Sequence, residues 1–190
     1  YGFPIEGVSI KSSPLIADLN NNSLGEIYFG SEDDNMYGYM DPGIPGQGAV
    51  PISGFPFETG DKIQSSPAVG DVDGDGNNEI VFGSYDGKLY ILGTNGNQEL
   101  AYSQSGFIIG APALGDFDGD TDLEIVFTTQ NGSSGKLYAI HHTGENMDGF
   151  PLDLDEKMVV GAALGDLEGD GLLDIVVTTY ADNIYAINSD

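Results

Sequence analysis

Cysteine and arginine are absent from this chain, and only five lysines stand against 31 aspartate and glutamate residues, a formal net charge of −26. Without cysteine there is no disulfide framework and no thiol chemistry. The shortage of cations excludes a nucleic-acid footprint, because phosphate binding needs clustered basic residues. It also disfavours an anionic membrane surface. No apolar run approaches the length of a membrane span, so no direct membrane insertion is expected, and no signal-peptide pattern opens the chain. The first residue is Tyr1 rather than a methionine, from which we expect a piece of a longer chain or assembly. There is no Gly-x-Ser-x-Gly elbow, no phosphate loop and no cysteine nucleophile, so the chain reads as a protein that is not an enzyme. High charge alone would suit disorder. Glycine, tyrosine and β-branched residues recur in regular bursts, however, which argues for a folded β protein, and 190 residues suffice for one domain with a real core.

What is present is a fourfold repeat. The copies read SSPLIADLNNNSLGEIYFGS (12–31), SSPAVGDVDGDGNNEIVFGS (65–84), GAPALGDFDGDTDLEIVFTT (110–129) and GAALGDLEGDGLLDIVVTT (161–179). Each is followed by an echo: NMYGYM, GKLYIL, GKLYAI or NIYAIN. A further segment, GFPIEG, GFPFET, ELAYSQ or GFPLDL, separates one unit from the next. Every unit therefore holds four short segments, A to D, bounded by turn residues, and none has helical periodicity. Segment B is apolar on consecutive positions (Ile80, Val81, Phe82; Ile125, Val126, Phe127), which predicts burial on both faces, as in a sheet sandwiched between two others. Segment A is rich in small residues, which suits a crowded place near an axis. The expected fold is all-β: a β-propeller of four-stranded antiparallel blades, four blades in this chain. It is one domain, with repeats at about 1–53, 54–98, 99–148 and 149–190. Because the chain opens with a D segment and ends with a C segment, residues 1–7 are expected to complete the last blade, which favours a closed four-bladed ring over a fragment of a larger one.

The A–B connection carries D-x-D-x-D-G-x-x-E. Alternate residues in a curled loop aim their oxygens at one centre, and a hard cation such as Ca²⁺ takes six to eight oxygens from carboxylates and carbonyls. The candidate ligands in copy two are Asp71, Asp73, Asp75, Asn77 and Glu79. In copy three they are Asp116, Asp118, Asp120, Asp122 and Glu124. In copy four they are Asp166, Glu168, Asp170, Leu172 and Asp174. Leu172 cannot ligate through its side chain, so the seventh position is read as a backbone carbonyl. Copy one offers Asp18, Asn20, Asn22, Leu24 and Glu26, with two formal charges in place of four, so three strong Ca²⁺ sites and one weaker site are expected. An EF-hand would need a Glu at position twelve and flanking helices, and Zn²⁺ would want His or Cys. Turn-forming Asp-Gly pairs alone would not need a closing acid at a fixed distance.

These loops, the EIVFGS-type strands and the GKLY strands resemble the FG-GAP (VCBS-type) repeat of integrin α-subunit propellers and of secreted bacterial and archaeal proteins. The resemblance covers nearly the whole chain. It implies a propeller with largely structural Ca²⁺ on one face and a protein or glycan ligand on the opposite face. The departures are Ser23 and Thr121 where position six should be Gly, and four repeats where integrins have seven. Abundant extracellular Ca²⁺ points to an extracellular or cell-surface setting. The expected function is a Ca²⁺-stabilised binding or adhesion module, with a lectin-like propeller or a structural module of an extracellular assembly as alternatives. Tyr37, Tyr90, Tyr138 and Tyr185 occupy equivalent C positions and are expected to pack between blades. Tyr85 and Tyr180, in B–C turns, are candidates for a binding surface. His141 and His142 read as an exposed pair in a polar turn, and 41–51 as a Pro/Gly-rich linker on the acidic-loop face.

Overall fold

The computed structural model describes residues 7–20, 22–44 and 47–188. Within them the chain is all β, without a helix, and its strands form four antiparallel sheets in chain order. Blade one holds β1 (Leu15–Ala17), β2 (Glu26–Gly30), β3 (Asn35–Met40), β4 (Val50–Pro51) and β5 (Phe57–Glu58). Blade two holds β6 (Ala68–Gly70), β7 (Glu79–Gly83), β8 (Lys88–Leu92) and β9 (Gln98–Ser103). Blade three holds β10 (Ala113–Gly115), β11 (Glu124–Thr128), β12 (Lys136–Ile140) and β13 (Leu152–Asp153). Blade four holds β14 (Ala163–Gly165), β15 (Asp174–Thr178) and β16 (Ile184–Ile187). The A, B and C strands of every blade pair in sequence order, and blades one to three add an outer strand on C, as the repeat predicts. The GFPFET and GFPLDL segments supply the outer strands β5 and β13. The expected pairing of residues 1–7 with blade four falls outside the described residues.

One segment differs from expectation. The 41–51 stretch is not linker to its end, because Val50 and Pro51 pair with Met40 and Tyr39 at the far end of β3. β5 reaches only the near end, at Asn35 and Met36. The long β3 thus has two partners on one edge. Pro51 lacks an N–H and is tolerated in this outermost strand, where no further ladder bond is required.

The consecutive apolar B strands are buried on both faces. Ile80, Val81, Phe82, Ile125, Val126 and Phe127 are all 0% exposed. Blades two and three bury one face against the blade before and the other against the blade after, while among the described residues blades one and four do not meet, so the expected closed ring is not seen. Leu19, Tyr28 and Met36 of blade one share a cluster with Ile80, Phe82, Tyr90 and Leu92 of blade two. Val72, Val81, Leu89 and Ile91 of blade two meet Ile125, Phe127, Tyr138 and Ile140 of blade three. Phe117, Val126, Leu137 and Ala139 of blade three meet Ile175 and Val177 of blade four.

Of the equivalent tyrosines, Tyr90, Tyr138 and Tyr185 pack at these seams, whereas Tyr37 does not and stacks on Phe29 and Tyr39 of its own sheet. Phe57 of blade one sits edge-on to Phe82 and Tyr90 of blade two, and Tyr102 of blade two does the same to Phe127 and Tyr138 of blade three. The Tyr90 hydroxyl donates to Asp86 at 2.6 Å, which satisfies its polar end. Backbone bonds also cross the seams: Ile63 N–H donates to Ser31 and Ile108 N–H to Ser84. At those crossings the incoming isoleucine lies on the last residue of the neighbouring B strand, where only glycine fits. A Cβ on Gly30 would lie 2.2 Å from Ile63 Cγ2, and one on Gly83 would lie 2.1 Å from Ile108 Cγ2.

This packing predicts that Gly83→Ala destabilises the fold by about 1–3 kcal/mol, the usual cost of overpacking a filled core. Gly165→Ala, where a Cβ meets nothing within 4 Å, should be neutral. Urea unfolding midpoints of the two variants would check the contrast; equal midpoints would contradict the seam geometry.

Candidate metal centre

The four A–B loops share one hydrogen-bond plan. The closing acid at position nine begins the B strand and is buried: Glu26 is 1% exposed, Glu79 3%, Glu124 0% and Asp174 5%. One of its oxygens accepts the backbone N–H of position two: Leu19 to Glu26 at 2.9 Å, Val72 to Glu79 at 3.0 Å, Phe117 to Glu124 at 2.8 Å and Leu167 to Asp174 at 2.8 Å. The first acid accepts loop amides further on, as in Ser23 to Asp18, Gly76 to Asp71 and Gly171 to Asp166. Position six needs a left-handed backbone for this curl. Gly76 and Gly171 adopt it at φ 92°, and Ser23 and Thr121 adopt it at 69° and 86° despite their side chains. The two departures from Gly therefore leave the loop path intact.

The loops differ in how far their carboxylates converge. In loop two, oxygens of Asp71, Asp73 and Glu79 all lie within 4.8 Å of one another. In loop three, Asp116, Asp118 and Asp120 form one such group, and Asp118, Glu124 and His141 form another. Among the described residues, loop four gathers no such trio, although it carries Asp166, Glu168, Asp170 and Asp174. There the Asp166 carboxyl is occupied by the amides of Gly169, Asp170 and Gly171, which hold its pKa below the usual value. In loop one the Asn20 amide donates to the second Glu26 oxygen at 2.8 Å, so Glu26 is satisfied within the chain. Asn77 and Asp122 present backbone N–H groups to Asp75 and Asp120. Leu24 and Leu172 do the same to Asn22 and Asp170, with both leucine side chains exposed.

Two observations test whether these residues suit a cation. Asp71 Oδ1 and Asp122 Oδ1 are buried without a hydrogen-bond partner, and an unpaired buried carboxylate oxygen is costly. The donor set of loop two is all oxygen, the chemistry of a hard divalent ion. The electrostatics agree. Burial, followed by the charges of Glu99, Asp73 and Asp75, pushes Glu79 up to about 7, against the lowering pull of the Val72 amide. Glu124 is raised by burial and by Asp118 and Asp122, and Glu99 by burial and by Asp73 and Asp75.

Three residues beside the loops were not assigned to them from sequence. His141 is no free surface group: its Nδ1 lies 3.0 Å from Glu124 Oε1. His142 Nδ1 lies 2.9 Å from Asp122 Oδ2. Both correct the reading of an exposed pair. The signal was available in the B–C register. Ile125 pairs with Ile140, so the next residue along, His141, falls opposite Glu124. Glu99, on β9, borders the loop-two acids together with Asp73 and Asp75.

At the opposite end of the blades, the Tyr85 ring stacks on Phe107 with centroids 4.8 Å apart, and Lys62 Nζ lies 4.4 Å from its centroid. These rings border a cleft of about 220 Å³ with Asp86, Gln104, Gln130 and Asn131. Tyr180 is 66% exposed, with Lys157 Nζ 4.6 Å from its ring centroid. The two candidate surface tyrosines are therefore in different settings, one lining a cleft and one on open surface.

The sequence pattern of the FG-GAP-like repeat matches residues 71–127 and 116–177. No curated protein matches the chain. Among solved structures, the chain is similar to BBS1N in complex with ARL6DN. In the lead-soaked crystal the identity is 12% and the TM-score 0.64, over 96% of this chain and 54% of that one. In the mercury-soaked crystal they are 11% and 0.66, over 97% and 56%. It is also similar to the V. cholerae biofilm matrix protein Bap1, at 20% identity and a TM-score of 0.58, over 93% of this chain and 30% of that one. The chain thus spans about half the length of the BBS1N chains and under a third of Bap1. At these identities the likeness is one of fold.

The raised Glu79 has a pH consequence. Between its ordinary value of 4.5 and about 7 the folded, metal-free protein keeps a proton that the unfolded chain has released. Stability without metal therefore falls as pH rises through that window, by up to about 3 kcal/mol from this group. Urea midpoints in chelator from pH 5 to 7.5 should decline, and Glu79→Gln should flatten the decline; an unaltered slope in that variant would exclude Glu79 as its source.

Proposed function

This chain belongs to the FG-GAP-like repeat family, and on that premise we propose that it is a calcium-stabilised propeller acting outside the cell as a binding or adhesion module. The observation that carries the metal reading is loop two, where oxygens of Asp71, Asp73 and Glu79 lie within 4.8 Å of one another and Asp71 Oδ1 is buried without a hydrogen-bond partner. Asp75 and the Asn77 carbonyl would complete an oxygen shell. Loop three would use Asp116, Asp118, Asp120 and Glu124 in the same roles. Loop four would use Asp166, Glu168, Asp170 and Asp174, and loop one would be weaker. Bound calcium supplies the positive charge that clustered carboxylates lack. The chain's own part is to hold the closing acid on the B strand while its other oxygen takes the position-two amide, so the ion fixes loop and strand together.

The binding role is supported by the family and by the company of the fold. BBS1N was solved with ARL6DN, and Bap1 is a biofilm matrix protein. A propeller presents rigidly held loops at the end away from the acids, and such loops are where recognition is usually built. A protein ligand on that end is our leading reading. A glycan is the second, favoured by the stacked Tyr85–Phe107 pair beside amide side chains in one cleft. A sugar face stacks on such rings, so Phe107→Ala should abolish any glycan-array signal while leaving the melting temperature unchanged; retained signal would place the sugar elsewhere.

Calcium should raise the melting temperature. A site filled at a hundredfold excess over Kd contributes about 2.7 kcal/mol. For a chain of this size each kcal/mol is about 2–4 °C. Calorimetric melts with calcium and with chelator would measure the gain, and Asp71→Asn with Asp73→Asn should remove one site's share. Superimposable melts would refute the metal reading.

A further inference from the structure

The residue across from the closing acid, on the C strand, differs from blade to blade. In blade one it is Met40, paired with Glu26. The registers Ile80↔Leu92 and Ile125↔Ile140 put Gly93 across from Glu79 and His141 across from Glu124. In blade four Ile175↔Ile187 puts Asn188 across from Asp174. The repeat thus keeps one place beside the buried acid and varies the donor offered there. Blade two offers a second carboxylate. A Cβ on Gly93 would lie 2.7 Å from Glu99 Oε1, so the glycine leaves the room that Glu99 takes. Blade three offers an imidazole, with His141 Nδ1 at 3.0 Å from Glu124 Oε1.

The imidazole belongs to a larger arrangement. Oxygens of Asp118 and Glu124 and a ring nitrogen of His141 lie within 4.8 Å of one another, and of the three such groups among the described residues this one alone contains nitrogen. Each member is held from outside. Glu124 is buried, and its other oxygen accepts the Phe117 N–H at 2.8 Å. Asp118 accepts the Asp120 N–H. The His141 N–H donates to the Glu145 carbonyl and the His141 carbonyl accepts from Gly144, both at 2.9 Å. Hydrogen-bonded carboxylates on a fixed backbone are the outer supports that metal ligands require. The negative charge is not balanced within the chain, because Asp122 Oδ1 of the same loop is also buried without a partner. His142 stands apart, with its Nδ1 at 2.9 Å from Asp122 Oδ2.

We propose that loop three, unlike loop two, takes a transition-metal ion of the zinc class through Asp118, Glu124 and His141. Calcium and magnesium take oxygen ligands, whereas imidazole suits zinc, copper, nickel and iron. Two donors 3.0 Å apart can both reach an ion at about 2.0–2.1 Å, the length of zinc bonds to nitrogen and to carboxylate oxygen. The ion takes the Nδ1 lone pair, so the ring proton resides on Nε2. This goes beyond the calcium reading and leaves it as it stands for loop two. In loop three the two kinds of ion compete, because Asp118 also belongs to the all-oxygen trio with Asp116 and Asp120.

The test is a titration of the whole chain with zinc in excess magnesium, which competes for oxygen-only sites. Nitrogen-15 NMR follows the two imidazoles, the only ones in the chain. The first equivalent of zinc should shift His141 Nδ1 and leave the His142 ring in place. By calorimetry, His141→Asn, which installs the blade-four residue type, should bind that equivalent at least about tenfold more weakly, the low end of what losing even an outer support costs. His142→Ala should bind it as the wild type does, with circular dichroism confirming that both variants fold. An unshifted His141, a response from His142 in its place, or wild-type affinity in His141→Asn overturns the proposal. Calcium melts play no part in this readout. If they fail, a shifted His141 still stands, and an unshifted His141 leaves any calcium gain as it was.

Discussion

Each sheet of this protein has two apolar faces and can cover neither alone. That single constraint explains most of the molecule. The consecutive apolar residues of β7 and β11 are meaningful only because a blade lies on either side of each. Glycine at positions 30 and 83 is required because an isoleucine from the next blade lands there. Stability in such an array is a sum of blade and seam terms, with nearest neighbours alone in contact. The three apolar clusters follow that rule, each drawing on two successive sheets.

The acidic loops are tied to the same seams through position two. Its side chain is core between blades in the first three copies, while its backbone N–H bonds the buried closing acid. One residue therefore reaches the seam with its side chain and the carboxylate cluster with its amide. The closing acid gives the reverse link, since it begins the B strand while one of its oxygens accepts the loop amide. A carboxylate buried this deeply beside like charges is unfavourable by itself, which is why Glu79 and Glu124 resist ionisation. The clustered charge is a burden on the fold that a divalent ion would offset.

Much of this was legible in the sequence. The repeat, the A–B–C–D order and the doubly buried B strands follow from periodicity, because burial on two faces leaves an unmistakable apolar run. The loop path was legible too, even through Ser23 and Thr121, because carboxylate spacing and the closing acid define it without the glycine. What was hidden depends on contacts between segments distant in the chain. His141 reads as a polar-turn residue until the register of β11 and β12 puts it opposite Glu124. Glu99 carries no sequence signal that β9 brings it beside Asp73 and Asp75. The extra pairing at Val50–Pro51 has no apolar alternation to announce it, being two residues long. Which acids converge is equally invisible, since loops two and four share their spacing and differ in what their carboxylates bond.

That last difference goes with how each loop's position-two side chain is held. Loops two and three gather trios of ligating atoms, and in both the position-two side chain, Val72 or Phe117, is clamped in a seam. Loop four has as many acids as loop two, yet gathers none, and its Leu167 is the one position-two residue left exposed. A seam that held Leu167 would restrict the loop on the side from which the Asp174 bond already holds it.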